Sequence, residues 1–159
     1  MATYPLAALT RVAFASLPLE GVRRAARDRP AIEDALWWDL LVASAIEREH
    51  IVSLGRRSAT ERLAHLFCEL QLRLALVDLA DANGYDMPVT QADIADMLGL
   101  TPVHVNRSLQ DLRRSGLIAL RDRRLILRDL AALRELALFD PDYLHPAGLV
   151  ARWPGEGGL

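Results

Sequence analysis

The sequence predicts a mainly α protein in which one long helix precedes two short helices joined by a tight turn, followed by a small β-hairpin. Three observations carry this. Residues Ala31 to Leu54 run without Gly or Pro. Thr90 and Thr101 each stand before a helical apolar pattern as capping residues, with Gly99 between the two patterns. Gly116 to Leu127 reads as strand, tight turn and strand.

Composition narrows the class. The 159 residues allow one domain, or one domain with an attached arm. Hydrophobic residues at 52% and charged residues at 25% exclude a disordered, collagen-like or low-complexity chain. The formal charge of −2 is not that of a uniformly basic protein, yet all 19 basic residues are Arg, whose planar, multi-donor head suits phosphate and guanine. The single Cys68 can make no intrachain disulfide, iron–sulfur cluster or zinc ribbon, which fits a reducing cytoplasm. The longest apolar stretch, Ala35 to Ile46, is broken by Asp39 and Ser44 and falls short of the ~18 residues of a membrane span. No signal peptide is apparent at Met1 to Arg11.

Taken in order, Arg11 to Leu17 alternates weakly and reads as one short strand without a sheet, followed by a brief amphipathic turn through Gly21 to Asp28. Ala31 to Leu54 should form a helix of about six turns. It is apolar nearly all round, with Trp37, Trp38, Leu41 and Val42 outside the main stripe, and such a helix needs cover on two sides. One side can face its own chain and the other a second copy, so it reads as a dimerisation helix, with Ile32, Leu36, Ala43 and Ile46 at the contact. A purely intramolecular core helix is the alternative. Gly55 reads as a hinge or a simple turn. Ser58 to Glu61 has capping-box spacing, and the helix it opens, with Leu63, Leu66, Phe67, Leu70, Leu74 and Val77, should close near Asn83-Gly84.

From Met87 onward the pattern is specific. Thr90, with Asp93 three residues on, caps a helix carrying Ile94, Ala95, Met97 and Leu98, and Gly99 ends it. Thr101 caps a second helix with Pro102 at its first position, where the missing amide costs nothing. This is helix-turn-helix spacing. In the second helix Val105, Leu109 and Leu112 fall on one side, within about 40° of Val105. Val103, Arg107, Gln110 and Arg114 lie opposite, flanked by His104 and Asn106. Arg, Gln and Asn are the side chains that read base edges in a major groove, and an apolar Val103 suits a thymine methyl. The following hairpin is then a wing with a cationic tip at Arg121 to Arg124. Gly99 to Arg128 carries seven Arg against Asp111 and Asp122, or +5, whereas Asp78 to Leu98 carries five Asp and no Arg, or −5. The near-neutral sum hides a polarised domain whose field would steer phosphates.

The run Val89 to Ile118, VTQADIADMLGLTPVHVNRSLQDLRRSGLI, resembles the DNA-binding domain of the Crp/Fnr family of bacterial transcription regulators. Arg56 to Ala64 resembles the start of that domain, and Phe139 to Leu144 a carboxy-terminal motif in part of the family, so the likeness runs from about Arg11 to His145. It implies a mainly α chain: a long dimerisation helix followed by a winged helix-turn-helix domain with a small β-hairpin wing. Residues 1–29 would be a remnant of the sensor domain, 30–56 the dimerisation helix and hinge, 57–147 the DNA-binding domain and 148–159 a flexible tail.

It also implies a cytoplasmic homodimer on double-stranded DNA, with helix 102–114 of each copy in a major groove of a palindromic operator, half-sites about 34 to 36 Å apart. RNA polymerase is a further implied partner. The expected DNA-binding residues are Thr90, Gln91, Thr101, Pro102, Val103, His104, Asn106, Arg107, Gln110, Arg114 and Arg123. Arg107 matches the family's later base-reading Arg, but Pro102 and Val103 stand where the best-studied members have Arg and Glu, so their operator preference does not transfer. The sensor β-roll with its phosphate-binding cassette is missing, as is the cysteine set of Fnr-type oxygen sensors. No cofactor and no cyclic nucleotide are therefore expected, and the chain looks short for the family by roughly one sensor domain.

Other readings are weaker. A winged helix can serve as a protein-interaction module, and a truncated regulator can lack DNA binding. Glu61, His65, Cys68 and Glu69 fall on one expected solvent face, but no other ligands complete a metal shell, so neither a metal nor a catalytic site is expected. Trp37 and Trp38 could line a ligand pocket, although packing is the commoner role. His50 and His145 read as ordinary polar residues.

Overall fold

The computed structural model describes residue 8 and residues 10–145. The expected flexible tail lies outside these residues. Six α-helices frame a four-stranded antiparallel sheet. In chain order they are α1 (Leu19–Asp28), α2 (Pro30–Arg56), α3 (Ala59–Ala75), β1 (Ala80–Asp81), β2 (Gly84–Asp86), α4 (Gln91–Leu98), α5 (Pro102–Arg114), β3 (Ile118–Arg121), β4 (Arg124–Leu127) and α6 (Leu130–Ala137), closed by a 3-10 turn, Pro141–Leu144. The sheet order is β1-β2-β4-β3. No helix among the described residues is long and apolar enough to cross a membrane.

The core lies around α3. Leu63 and Phe67 meet Ile94 from α4, Leu109 and Leu112 from α5, Ile118 and Leu125 from the sheet, and Leu133 from α6. Each such side chain contributes about 1.5–3 kcal/mol by leaving water. Tyr85 is fully buried and donates its hydroxyl proton to the Phe67 carbonyl at 3.2 Å, which satisfies the only polar atom of its ring. The capping box at Ser58 and Glu61 starts α3 as its spacing demands.

Several expectations change. Residues 11–17 form no strand: they are exposed, and no strand among the described residues lies alongside to complete a ladder. Gly55 does not break the long helix, which runs on to Arg56. Helix α3 stops at Ala75, well before Asn83-Gly84; Asn83 instead lies with Ala82 in the turn of the β1–β2 hairpin, and Gly84 opens β2. The wing hairpin accordingly extends a larger sheet, with β2 pairing to β4. His65, Cys68 and Glu69 are buried rather than on a solvent face, because α3 is covered by α5, α6 and the sheet. Burial pushes the Cys68 thiol up to about 12, and no group of three His, Cys, Asp or Glu among the described residues could hold a metal.

A polar cluster joins α2 to the domain. Arg57, the residue that caps α2 just past its end, donates from Nε to the Ala137 carbonyl at 3.1 Å and from Nη1 to Glu49 at 2.7 Å. His65 Nε2 lies 3.3 Å from the same Glu49 carboxylate, while its ring stacks on Tyr143 and meets Phe139 edge-on. Tyr143 in turn donates to Glu69 at 2.8 Å. His145, from the same segment, is no ordinary polar residue either: its ring meets Trp38 edge-on at 5.3 Å. Arg62 completes the junction, donating to the carbonyls of Leu54, Arg57 and Leu98.

Burial, reinforced by the Arg57 cation, lowers the His65 pKa below its ordinary 6.5, against the opposing pull of Glu49 and Glu69. The unfolded chain therefore takes up this proton first as pH falls. The stabilisation is complete above 6.5 and is lost as pH drops toward the lowered folded-state value. Urea unfolding between pH 7.5 and 5.5 should show stability falling with acid, and His65→Gln should flatten that slope. An unchanged slope would mean that His65 is not buried in its neutral form.

Candidate nucleic-acid interface

Local sequence sets the geometry of the two helices. The Thr90 hydroxyl accepts from the Asp93 amide at 3.2 Å while the Asp93 carboxylate accepts from the Thr90 amide at 2.7 Å. The bond from the Thr90 amide, and a second from the Thr90 hydroxyl to the same carboxylate oxygen at 2.7 Å, hold the Asp93 carboxyl below its usual range. Gly99 adopts the left-handed conformation at φ +60°, which reverses the chain after α4 at no Cβ penalty. Two residues later the Thr101 hydroxyl accepts from the His104 amide at 3.3 Å, and Pro102 begins α5.

The faces of α5 fall where the periodicity puts them. Val105, Leu109 and Leu112 are buried, joined by Ser108, whose hydroxyl accepts from Thr60 at 3.1 Å. Pro102, Val103, His104, Asn106, Arg107, Gln110 and Arg114 are all exposed, Val103 to 76%. An amide chain crosses the two helices: Asn106 donates to Gln91 at 3.2 Å, and Gln110 donates to Asn106 at 2.8 Å. The predicted Gln91, Asn106 and Gln110 thus form one ordered polar strip. Arg107 projects beside it with no hydrogen-bond or ion-pair partner among the described residues, free to meet a ligand. Arg114 pairs with Asp111 on its own helix. Thr90 and Thr101 lie at the exposed amino ends of α4 and α5, their hydroxyls engaged as caps.

The wing differs from expectation in how its cations are used. Asp122 and Arg123 occupy a two-residue turn with φ of +50° and +61°, the turn that matches the strand twist of a tight hairpin. That turn sends Arg123 Nη2 to the Pro88 carbonyl at 2.6 Å. Arg124 pairs with Asp81 at 2.6 Å and Asp86 at 3.3 Å. Part of the cationic tip therefore neutralises the acidic segment, and the two oppositely charged stretches meet across the sheet. Sequence spacing gave no signal for this, since β1 and β2 are only 2 and 3 residues long.

The expected dimerisation residues divide between two faces of α2. Leu36 and Ala43 are exposed on one side, together with Leu40, Ile51 and Leu54. Ile46 instead packs against the domain core, and Ile32 is half-buried beside α1. The helix has to anchor to its own domain, so the smaller part of its apolar girdle turns inward and the larger part stays exposed.

A Crp-like helix-turn-helix domain family matches residues 61–136. The transcriptional activator protein FnrL of Cereibacter sphaeroides is 40% identical over 99 residues, covering 60% of this chain and 40% of that protein. The nitrogen fixation regulation protein FixK of Azorhizobium caulinodans is 36% identical over 108 residues, 67% of this chain and 44% of its own length. The chain thus spans less than half the length of either curated relative. The solved structure of FixK2 from Bradyrhizobium japonicum superposes with a TM-score of 0.61 at 30% identity, over 74% of this chain and 57% of that one. Helix order, turn geometry and these likenesses agree, and the chain belongs to the Crp/Fnr family of regulators through a Crp-like winged helix-turn-helix domain.

Proposed function

We propose that this chain is a cytoplasmic, sequence-specific transcription regulator that binds duplex DNA as a homodimer. One α5 from each copy would lie in the major groove of a palindromic operator. The observation that carries the reading is the outward face of α5: an exposed strip in which Arg107, unpaired among the described residues, stands beside the ordered amides of Asn106 and Gln110. Arg suits guanine and the amides suit adenine, and holding the amides in place before binding lowers the entropy lost on contact. The exposed apolar side of α2 supports the dimer. RNA polymerase would be a partner of the bound dimer.

Selection of bound duplexes from a random pool tests this directly. A palindromic consensus is the expected result, with affinity falling steeply as salt is raised. A chain with no duplex affinity at low salt would be a protein-docking module instead. Within the selected site, Arg107→Ala should weaken binding by about 1–3 kcal/mol and relax preference at one base pair, measured by anisotropy titration against single-base variants. Unchanged affinity and unchanged preference would place Arg107 outside the groove.

A further inference from the structure

Arg57 and Ser58 alone link α2 to α3, and both are extended. So short and irregular a link lets the domain pivot about the end of α2 unless something further along the helix holds it. Near the link, Arg57 and Arg62 tie helix and domain together. A second hold comes from the carboxy-terminal side of the domain. After α6 the chain turns back through Leu138, left-handed at φ +48°, and the segment that follows packs on α2. Phe139 and Leu144 root this segment in the core, Tyr143 stacks on His65 and donates to Glu69, and His145 meets Trp38 of α2.

Trp38, Val42, Ala45, Glu49 and Ser53 form the covered stripe of α2, spaced so that they share one helix face. Trp38 stands at its far end, about 28 Å from Arg57 at 1.5 Å per residue. A helix gripped at two points that far apart cannot pivot about one of them.

We infer that residues 139–145 are a strap that fixes the angle of the domain on α2, and through it the spacing between half-sites that a dimer accepts. His145 and Trp38 are its positioning residues. The inference rests on the homodimeric DNA-binding reading above and deepens it. One base pair added between the half-sites moves the second by about 3.4 Å and turns it by about 35°. A domain that follows has to swing or twist on α2, and the contact farthest from the link opens first. The bases that α5 prefers do not change, because they are read within each half-site. A segment that only covered the core would need Phe139 and Leu144 but not His145.

The test uses the whole chain and the selected operator, with its central spacer unchanged, one base pair shorter or one base pair longer. The unmodified chain should prefer the unchanged spacer by about tenfold or more, since the other two open an aromatic contact on each domain. With Trp38→Ala and His145→Ala together, the three operators should bind within about threefold of one another, and each single Ala variant should do nearly as much, because both break one contact. Affinity for a single half-site and its base preference should stay as they were. His145→Phe, which keeps a ring against Trp38, should keep the spacer preference. A double variant that retains the full preference would overturn the inference and leave the DNA reading intact. So would an unmodified chain indifferent to spacing, or a double variant that weakens the half-site and all three operators equally, the mark of a merely structural contact. A chain that selects no palindrome would overturn the dimer reading and this inference with it.

Discussion

Replacing Leu36 and Leu40 together with Glu is expected to convert a dimer into monomers and to weaken binding to a palindromic duplex by about 10²–10⁴-fold. The two residues are 49% and 57% exposed in the single chain, on the side of α2 opposite the buried Ala45 and Ser53. Ala43, Ile51 and Leu54 continue the same side. A soluble chain rarely leaves so long an apolar row in water unless another surface covers it. In a symmetric pair the two substitutions place four carboxylates at the contact, and unpaired charges taken out of water cost several kcal/mol. The domain itself should survive, since neither residue touches the core around α3. What is lost is the linkage of two reading heads, which makes the second half-site an intramolecular event. Sedimentation velocity reports the mass, and titration of whole and half operators reports the affinity. A variant that stays dimeric, or that still prefers the whole operator by the original margin, would refute α2 as the pairing surface.

How far the fold was legible depended on the range over which each signal acts. The caps at Ser58, Thr90 and Thr101 and the left-handed Gly99 are decided within about four residues, and each appears as expected. The buried and outward faces of α5 follow from one period. The failures share a different cause: each is a question of what covers what. The spacing of His65, Cys68 and Glu69 along α3 is that of an ordinary helix face, and only the surrounding elements make it an interior. Ile46 and Leu36 belong to the same apolar girdle, and only the docking of α2 on its domain separates them. Arg123 and Arg121 flank one turn residue, yet the positive φ values at the tip send Arg123 back to Pro88 and leave Arg121 outside.

Asn83-Gly84 shows the same ambiguity at a single dipeptide, because helix stops and hairpins draw on the same residue types. The structure resolves it with a consequence that can be measured. Gly84 sits at φ +144°, paired opposite Ile126 of β4. A Cβ there would overlap the Leu125 carbonyl oxygen and come within 3.0 Å of the Leu125 carbonyl carbon. Those are backbone atoms of the central ladder and cannot step aside without opening it. Strained backbone and forced overlap each cost about 1–3 kcal/mol, so Gly84→Ala should destabilise the domain by about 3–5 kcal/mol, a large share of a typical 5–15 kcal/mol total. Because β4 is also half of the wing, DNA affinity should fall with it. Gly55→Ala is the control: its added methyl meets nothing within 4 Å, and in a helix it should stabilise by about 0.5–1 kcal/mol. Urea denaturation of both variants separates the two roles. A Gly84→Ala protein within about 1 kcal/mol of the unmodified chain would mean that β2 does not pair with β4 in this register.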